Sequence, residues 1–480
     1  MKKSLLTLAI LGTATLSAHA GIVLYGEVDA GFSYNHLKTT FTNQERASSS
    51  SLGVGGDSEH RLAPGETPPD FSYHSNSFKF SDGLLSANKI GLRGEEDING
   101  LTVGFKLENG FNLSSGDLST PGKIFDREAR LYVRNDFGEL ALGRFGGLGS
   151  AAGSYDVFFE NADAFDGGDN LIPWAYAATG RMDNSIAYQS PEVMGLQGTL
   201  MYSFNKDGEQ KDKVKDNDRY AGAALTYKHD RFTLVGSAEV LLRDRETKDF
   251  YKTIENDDPD IGPQQRFAKP VDYKNGSIFN LGGNMDFDTF KVFAGVQWSR
   301  HVNLDEIQTG FSEQDRSMFF TNALRIAKQE LENNTDATYP EFTDENIRLS
   351  SSYNAAALGL FQFNGYAASL GSIIPIKGDT LTLAGYFGSY KTAGNQQVAT
   401  NLLKSPSLVL PMFDKSKVKT FGIAARLEHP LSKRTTLYTG AGYGETRFRY
   451  DYGNSEVKPY GTAKLKHRVG QVYLGLNHKF

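Results

Sequence analysis

Apolar and polar residues alternate along much of this 480-residue chain. The clearest example is the last segment, in which alternate positions share one face of a strand: Val472, Leu474, Leu476, His478 and Phe480. Similar alternation runs over residues 22–35, 79–94 and 101–112. A period of two is typical of β-strands that have one apolar and one polar face. The pattern therefore predicts an all-β protein.

Short turns and long polar connections separate these segments in alternation. The sequence predicts tight turns at residues 95–100, 136–138, 192–195, 229–230, 286–288, 377–379 and 430–433. Together with the long connections, they imply about sixteen antiparallel strands, with short turns at one end and long loops at the other. That asymmetry is typical of outer-membrane barrels, whose short turns face the periplasm.

The amino terminus carries the features of an export signal. Lys2 and Lys3 precede an apolar stretch over residues 5–16, and small residues follow at Ala18 and Ala20. We therefore interpret residues 1–20 as a cleaved signal peptide and residues 21–480 as one barrel domain. The destination that this predicts is the outer membrane of a Gram-negative bacterium.

Composition agrees with a barrel that encloses water. Only 39% of residues are hydrophobic, whereas the chain has 51 glycines, 23 tyrosines and 32 phenylalanines, as expected for a polar lumen and aromatic girdles. Residues 1–20 contain two lysines and no acid, so the net charge of −6 becomes −8 without them. This charge argues against a nucleic-acid partner. Cysteine is absent, so disulfides cannot stabilise the fold.

A closed sheet requires its last strand to pair with its first. The final segment has the lipid-facing pattern expected of that strand, and we expect it to close against residues 24–26. The residues assigned to barrel closure and to an assembly signal are Leu474, Leu476, His478 and Phe480. One charge-free stretch, 349–376, is interpreted as a loop followed by a strand, because repeated Ser, Asn and Gly argue against a membrane helix.

Five sequence blocks resemble the general diffusion porins of β- and γ-proteobacteria. They cover residues 24–32, 89–116, 125–145, 184–196 and 431–445. The resemblance extends over the first 205 residues apart from the first loop, and over about the last 65. It implies a homotrimer of single 16-stranded antiparallel transmembrane β-barrels with an inward-folded third loop. It also implies a passive, water-filled channel for ions and small hydrophilic solutes that needs no cofactor.

In these porins, acids on the third loop face basic side chains on the barrel wall across the pore constriction. Here the loop runs from about residue 146 to 182, and its candidate acids are Asp156, Glu160, Asp163, Asp166 and Asp169. Strand parity gives the candidate basic wall residues Lys89, Arg93, Arg130, Arg134 and Arg144. Parity with Leu140 and Leu142 points Arg144 outward, so that residue needs a bulge to reach the pore. The balance of charges leaves ion selectivity open.

Other features of the sequence leave three alternative functions open. The aromatic residues of the third loop could guide solutes in a substrate-selective porin for sugars or small organic anions, or they could pin the loop to the wall: Tyr155, Phe158, Phe159, Phe165, Trp174 and Tyr176. An outer-membrane enzyme or receptor is a third hypothesis. Residues 147–152 satisfy GxGxxG/A without a helical pattern behind them, and no catalytic or metal-ligand spacing is present. A soluble, secreted all-β binding protein would also show alternating strands.

Partners follow from the predicted location. We expect contact with outer-membrane lipid and lipopolysaccharide, with divalent cations bridging acids on the outer rim to lipid phosphates. In the sixth loop, Leu324, Ala327 and Leu331 have helical spacing and predict a short helix. No cofactor or metal is expected.

Overall fold

The computed structural model describes residues 21–43, 70–207, 211–244, 273–318, 361–394, 413–452 and 461–480, with a few shorter pieces at 250–251, 266–267, 321, 325, 359 and 400–401. The predicted signal peptide, residues 1–20, lies outside the described residues. In chain order the strands are β1 (Val23–Asn43), β2 (Phe71–Asp82), β3 (Lys89–Ile98), β4 (Leu101–Gly110), β5 (Glu128–Asn135), β6 (Gly138–Gly146), β7 (Arg181–Gln189), β8 (Leu196–Ser203), β9 (Arg219–His229), β10 (Phe232–Leu242), β11 (Phe250–Tyr251), β12 (Arg266–Phe267), β13 (Gly276–Asp286), β14 (Lys291–Asn303), β15 (Gln362–Ile376), β16 (Asp379–Thr392), β17 (Thr400–Asn401), β18 (Phe413–Pro430), β19 (Thr435–Tyr452) and β20 (Gly461–Lys479).

The strands form one closed antiparallel barrel. Among the described residues, seventeen strands make one sheet, and β11, β12 and β17 make a separate small one. Both β2 and β3 pair with β1, at Ala30–Phe41 and at Val23–Glu27 of that strand, so the two segments fill one strand position. The barrel therefore has sixteen strand positions, as predicted.

The seam between the last and the first strand is long. β20 pairs with β1 from Lys479 opposite Glu27 to Ala463 opposite Asn43. Below this ladder, the N–H of Gly26 donates to the carbonyl of Phe480 at 3.1 Å, and the N–H of Phe480 donates back to the carbonyl of Gly26 at 3.1 Å. Closure removes the edges that a bilayer would leave unpaired.

All seven predicted tight turns join neighbouring strands. In the turn between β3 and β4, Asn99 has φ 54° and Gly100 has φ 83°; Lys377 and Gly378 repeat this between β15 and β16 with φ 48° and 98°. Two consecutive left-handed residues suit a two-residue hairpin, because that turn matches the twist of the strands. The residue types in these turns therefore allowed the boundaries between neighbouring strands to be predicted from the sequence.

The two faces of the barrel have the polarity expected in a membrane. On β20, Val472 and Leu474 lie on the outer face and are exposed, whereas Gln471 and Tyr473, which alternate with them, are buried in the interior. β1 shows the same alternation, with Glu27 and Asp29 buried inside and Phe32 exposed outside. The outer face is therefore apolar and the inner face polar.

Helix is scarce in the described part of the chain. It includes α1 (Phe159–Ala162), two short 3-10 turns and residues 313–318. Within the described ranges, no helix is long and apolar enough to cross a bilayer. The charge-free stretch ends in strand β15, as predicted. Helical residues 313–318 lie in the sixth loop, but the spacing at Leu324, Ala327 and Leu331 falls outside the described residues.

Gly31 sits in the seam opposite Gly475, where the backbones approach closely. A Cβ atom at Gly31 would overlap the Leu474 carbonyl oxygen. We expect Gly31→Val to destabilise the barrel by roughly 1–3 kcal/mol, because the seam must shift to relieve the overlap. The heat-modifiable folded fraction on a denaturing gel, with urea unfolding in detergent, measures this. Ala30→Val, on the outward face of the same strand, is the matched control; equal folding of the two variants would contradict the prediction.

Candidate functional site

The third loop enters the barrel. It joins β6 to β7 over residues 147–180 and contains α1. Near its start, the N–H of Leu148 donates to the Tyr220 hydroxyl at 3.1 Å and the N–H of Gly149 donates to Glu239 Oε2 at 3.3 Å. Tyr220 and Glu239 are buried on the inner face of β9 and β10. The first part of the loop is therefore attached to the interior of that wall.

Further along, the same loop contacts a different wall. The Tyr386 hydroxyl of β16 donates to Asp163 Oδ1 at 2.8 Å. The Tyr473 hydroxyl of β20 lies 2.8 and 2.9 Å from the two carboxylate oxygens of Asp169. β20 adjoins the seam with β1, whereas the loop starts at β6, so the loop extends across the interior between these walls.

The last part of the loop is held by an amide side chain on β14. The N–H of Ala177 donates to Gln297 Oε1 at 2.7 Å, and Gln297 Nε2 donates to the carbonyl of Ala177 at 2.9 Å. Gln297 is fully buried. A reciprocal pair of this kind satisfies both backbone groups of one loop residue, so it fixes the loop as a neighbouring strand would.

Aromatic residues of the loop form a buried cluster. The ring of Phe159 lies 4.9 Å from Phe158, 4.9 Å from Trp174 and 5.3 Å from Tyr176, measured between centroids. Phe158, Phe159 and Tyr176 are each 1% exposed. Their faces are covered by protein, which favours the role of pinning the loop over that of contacting a solute.

The five candidate loop acids fall into two groups. Asp156, Asp163 and Asp169 are buried, whereas Glu160 and Asp166 are exposed to the lumen. Asp163 also accepts the N–H groups of Gly167 and Gly168 at 2.8 and 2.9 Å, so it organises the loop itself. Glu160 and Asp166 are thus the acids of this set that face water.

Asp156 is held in an environment that disfavours its charge. Its Oδ1 accepts the N–H of Phe159 at 3.3 Å, while its Oδ2 is buried without a hydrogen-bond partner. Burial raises the pKa of the Asp156 carboxyl well above its usual value, and the nearby carboxylate of Asp166 raises it further. A neutral Asp156 adds little to the field of the lumen.

The candidate wall cations are paired mainly with wall carboxylates. Lys89 Nζ lies 2.8 Å from Glu27 Oε2. Arg130 lies 2.8 Å from Glu128 and 2.7 Å from Glu139.

Two further candidates lie on the same side of the barrel. Arg134 is 3.0 Å from Glu95. Arg93 is exposed, and its guanidinium lies 5.4 Å from the ring centroid of Tyr25. Of the candidate bases, Arg130 contacts the third loop, through a 2.9 Å hydrogen bond to the Tyr155 hydroxyl.

Arg144 does not lie against the loop acids. It shares the outward parity of Leu140 and Leu142, which are exposed. Its guanidinium lies 2.6 Å from Asp183 and donates to the carbonyl of Asp126 at 2.7 Å. The register does shift between Gly143 and Phe145, where a bulge was required, but these contacts hold the side chain away from the candidate acids.

Sequence reasoning missed two contributors to the site. Arg426 of β18 lies 3.5 Å from Asp169, and its guanidinium stands 4.8 Å from the ring centroid of Phe165. It lies outside the five blocks that carry the resemblance, although strand alternation could have found it. The sixth loop also reaches the third: the N–H of Gln308 donates to the carbonyl of Tyr176, and Ala177 bridges Ile307. Within the described ranges, no group of three or more potential ligands could hold a metal ion.

Comparison with known proteins agrees with this architecture. The family model of the Gram-negative porins matches residues 7–449, so the chain belongs to that family and is an outer-membrane protein. An outer membrane porin protein of Bordetella pertussis is 29% identical over 242 residues, which are 47% of this chain and 56% of that protein. The major outer membrane protein P.IA of Neisseria meningitidis serogroup C is 25% identical over 205 residues, 42% of this chain and 46% of its own length.

The match to these curated relatives spans about half of their length. Among solved structures, the anion-selective porin from Comamonas acidovorans superposes with a TM-score of 0.52. That comparison covers 96% of this chain and all of the porin, at 16% sequence identity. It supports the fold of the barrel.

Proposed function

We propose that this protein is a passive, water-filled channel for ions and small hydrophilic solutes, narrowed by its third loop. The observation that carries the proposal is the path of the loop, which is hydrogen-bonded to Tyr220 on one wall and to Tyr473 on another. A loop that is attached to two different walls inside a barrel reduces the cross-section through which solute passes. Single-channel conductance of a protein that lacks residues 156–169 tests the proposal.

The interior suits hydrophilic solutes. Its wall carries ion pairs such as Lys89–Glu27 and Lys106–Glu128, the latter at 2.7 Å. Flux down a concentration gradient needs no cofactor or energy source. Membership of the porin family supports a channel over an enzyme.

We propose that the electric field in the constriction makes the channel prefer cations to anions. The wall bases Lys89, Arg130 and Arg134 are compensated by wall carboxylates. The carboxylates of Glu160 and Asp166 remain at the exposed surface of the loop. A constriction with surplus negative charge concentrates cations, because their energy is lower there.

The double variant Glu160→Gln, Asp166→Asn tests this field. We expect its reversal potential in a salt gradient to shift toward that of an anion-preferring channel, because both carboxylate charges are removed while the side-chain size is kept. The matched control is Asp117→Asn, Asp212→Asn, which removes two exposed acids from other loops. Equal reversal potentials for the two double variants would contradict the assignment.

A substrate-selective porin is the second candidate. Aromatic faces exposed along the loop would favour it, but Phe158, Phe159 and Tyr176 are buried. Flux that rises linearly with solute concentration supports the unselective channel, and saturation by a sugar or a small organic anion supports the alternative.

Three further expectations complete the proposal. The export signal is cleaved after residue 20, and the barrel assembles as a homotrimer, with Leu474, Leu476, His478 and Phe480 as the assembly signal. Outside the barrel, the protein associates with lipopolysaccharide in the outer leaflet. These expectations rest on the sequence features and on the family.

A further inference from the structure

The outer surface of the barrel carries a concentrated positive charge near one end. It lies on five adjacent strands: β16, β18, β19, β20 and β1. We call this surface the basic face, and its residues are Lys38, Lys391, Lys417, Lys419, Arg447, Arg449, Lys464, Lys466 and Arg468.

Strand parity shows that these side chains point away from the lumen. On β18, Ser416, Val418 and Thr420 are buried in the interior, whereas Lys417 and Lys419 between them are exposed. On β20, buried Leu465, His467 and Val469 alternate with Lys464, Lys466 and Arg468 in the same way. The basic face is therefore not part of the pore.

The basic face begins where the apolar band ends. On β19 the outward positions run from Leu437, next to a short turn, to Tyr443, and basic residues follow at Arg447 and Arg449. Phe421 on β18 lies beside Tyr443, with ring centroids 6.1 Å apart. Aromatic side chains of this kind mark the edge of the hydrocarbon layer. Since the short turns of such barrels face the periplasm, this edge belongs to the outer leaflet.

Cations in this patch lie directly opposite one another. Lys419 pairs in register with Arg447, and Arg447 pairs with Lys466 on the next strand. Lys417 and Arg449 repeat the arrangement one step further from the membrane. Like charges in opposed positions repel, so the sheet bears an unfavourable cluster that an external anion would relieve.

A single carboxylate already shows how the cluster binds an anion. Glu445 is buried under three cations: Arg468 Nε lies 2.8 Å from its Oε2, Lys466 Nζ lies 3.1 Å from the same oxygen, and Arg447 also contacts it. Glu445 thus draws three cationic groups together. Lys391, Lys417 and Lys419 of the basic face make no ion pair within the part of the chain that the structure describes.

We infer that the basic face binds the phosphate groups of outer-leaflet lipid directly, without a bridging divalent cation. Lipopolysaccharide is the occupant that fits, because its phosphates lie at the level just above the apolar band, where these cations stand. This inference rests on the proposed association with that lipid and names the site for it. A second copy of this chain presenting the same face would bring like charges together, so it is a poorer fit.

Lipid A with two phosphates is the probe for the full-length protein in detergent, and EDTA removes divalent cations. We expect the wild-type protein to retain lipid A in EDTA, as read by native mass spectrometry. The triple variant Lys417→Gln, Lys419→Gln, Lys466→Gln should bind at least about ten-fold more weakly, because each lysine near a charged lipid surface contributes to affinity. Lipid A without phosphates should bind both proteins equally weakly.

Arg300→Gln is the matched control, since Arg300 is an exposed outward cation on β14, away from the basic face. It should bind lipid A like the wild type. Heat-modifiable migration verifies that each variant is folded. Should the triple variant fail to fold, Lys417→Gln alone should show a smaller loss in the same direction.

Several results would overturn the inference in distinguishable ways. Loss of wild-type binding in EDTA would show that divalent cations hold the lipid. The proposed association with lipopolysaccharide would then stand, but direct binding of phosphate by the basic face would be wrong. If the wild-type protein binds no lipid A at all, both the association and the site would be wrong. Unchanged binding by the triple variant, or a change in its oligomeric state in place of lipid binding, would assign the face another role.

Discussion

Deletion of residues 156–169 is expected to raise the single-channel conductance roughly two-fold or more, because the conductance of a water-filled pore grows with its narrowest cross-section. The deleted segment contains α1 and both attachments to the far wall, Asp163 to Tyr386 and Asp169 to Tyr473. The barrel strands themselves are untouched, so closure at the β1–β20 seam should persist. Conductance in planar bilayers is the measurement.

The matched control removes residues 50–63 from the connection between β1 and β2, a deletion of the same length in another long loop. Its conductance should stay close to that of the wild type. Heat-modifiable migration establishes that both deletion proteins are folded. A conductance of the Δ156–169 protein equal to that of the wild type would mean that the third loop does not narrow the pore.

The parts of the fold that could be predicted are those set by local chemistry. Strand alternation and turn residues such as Asn99–Gly100 specify elements within a few positions, and these gave the strand number and the pairing of the last strand with the first. The predicted position of the seam at residues 24–26 was wrong except at Gly26, because the ladder runs over residues 27–43 and residues 23–27 pair with β3. The division of the second strand into β2 and β3 was not predicted, because residues 83–88 interrupt it through distant contacts. Asp29, for example, accepts the N–H of Leu84 and the hydroxyl of Tyr438.

The sequence allowed the residues of the third loop to be predicted as a candidate site, but it did not show which of its acids are buried and which face the lumen. Asp156, Glu160 and Asp166 look alike in sequence, yet the fold buries the first and exposes the other two. The buried acids Asp163 and Asp169 likewise have partners on distant strands, Tyr386 and Tyr473, which no local pattern connects to the loop. For Arg144, by contrast, a local pattern was sufficient. Strand parity alone pointed this side chain outward, and its contact with Asp183 agrees with that direction.

Replacement of Arg130 by methionine is expected to destabilise the protein by about 3–5 kcal/mol, because it breaks two buried charge-assisted contacts and leaves Lys106 as the cation beside Glu128 and Arg134 as the cation beside Glu139. The Arg130 side chain is 12% exposed and lies between Glu128, which is 1% exposed, and Glu139. It also donates to the Tyr155 hydroxyl, which in turn donates to Glu139 at 2.6 Å. The network therefore joins the barrel wall to the third loop.

Arg134→Met is the matched control on the same strand. Arg134 also faces Glu139, at 3.5 Å, but its side chain is 45% exposed, so water replaces the lost contact and the cost should be about 0–1 kcal/mol. Urea unfolding in detergent gives both values. Equal losses for the two single variants would mean that burial does not set the strength of this network, and that the loop is held mainly by its attachments to the other walls.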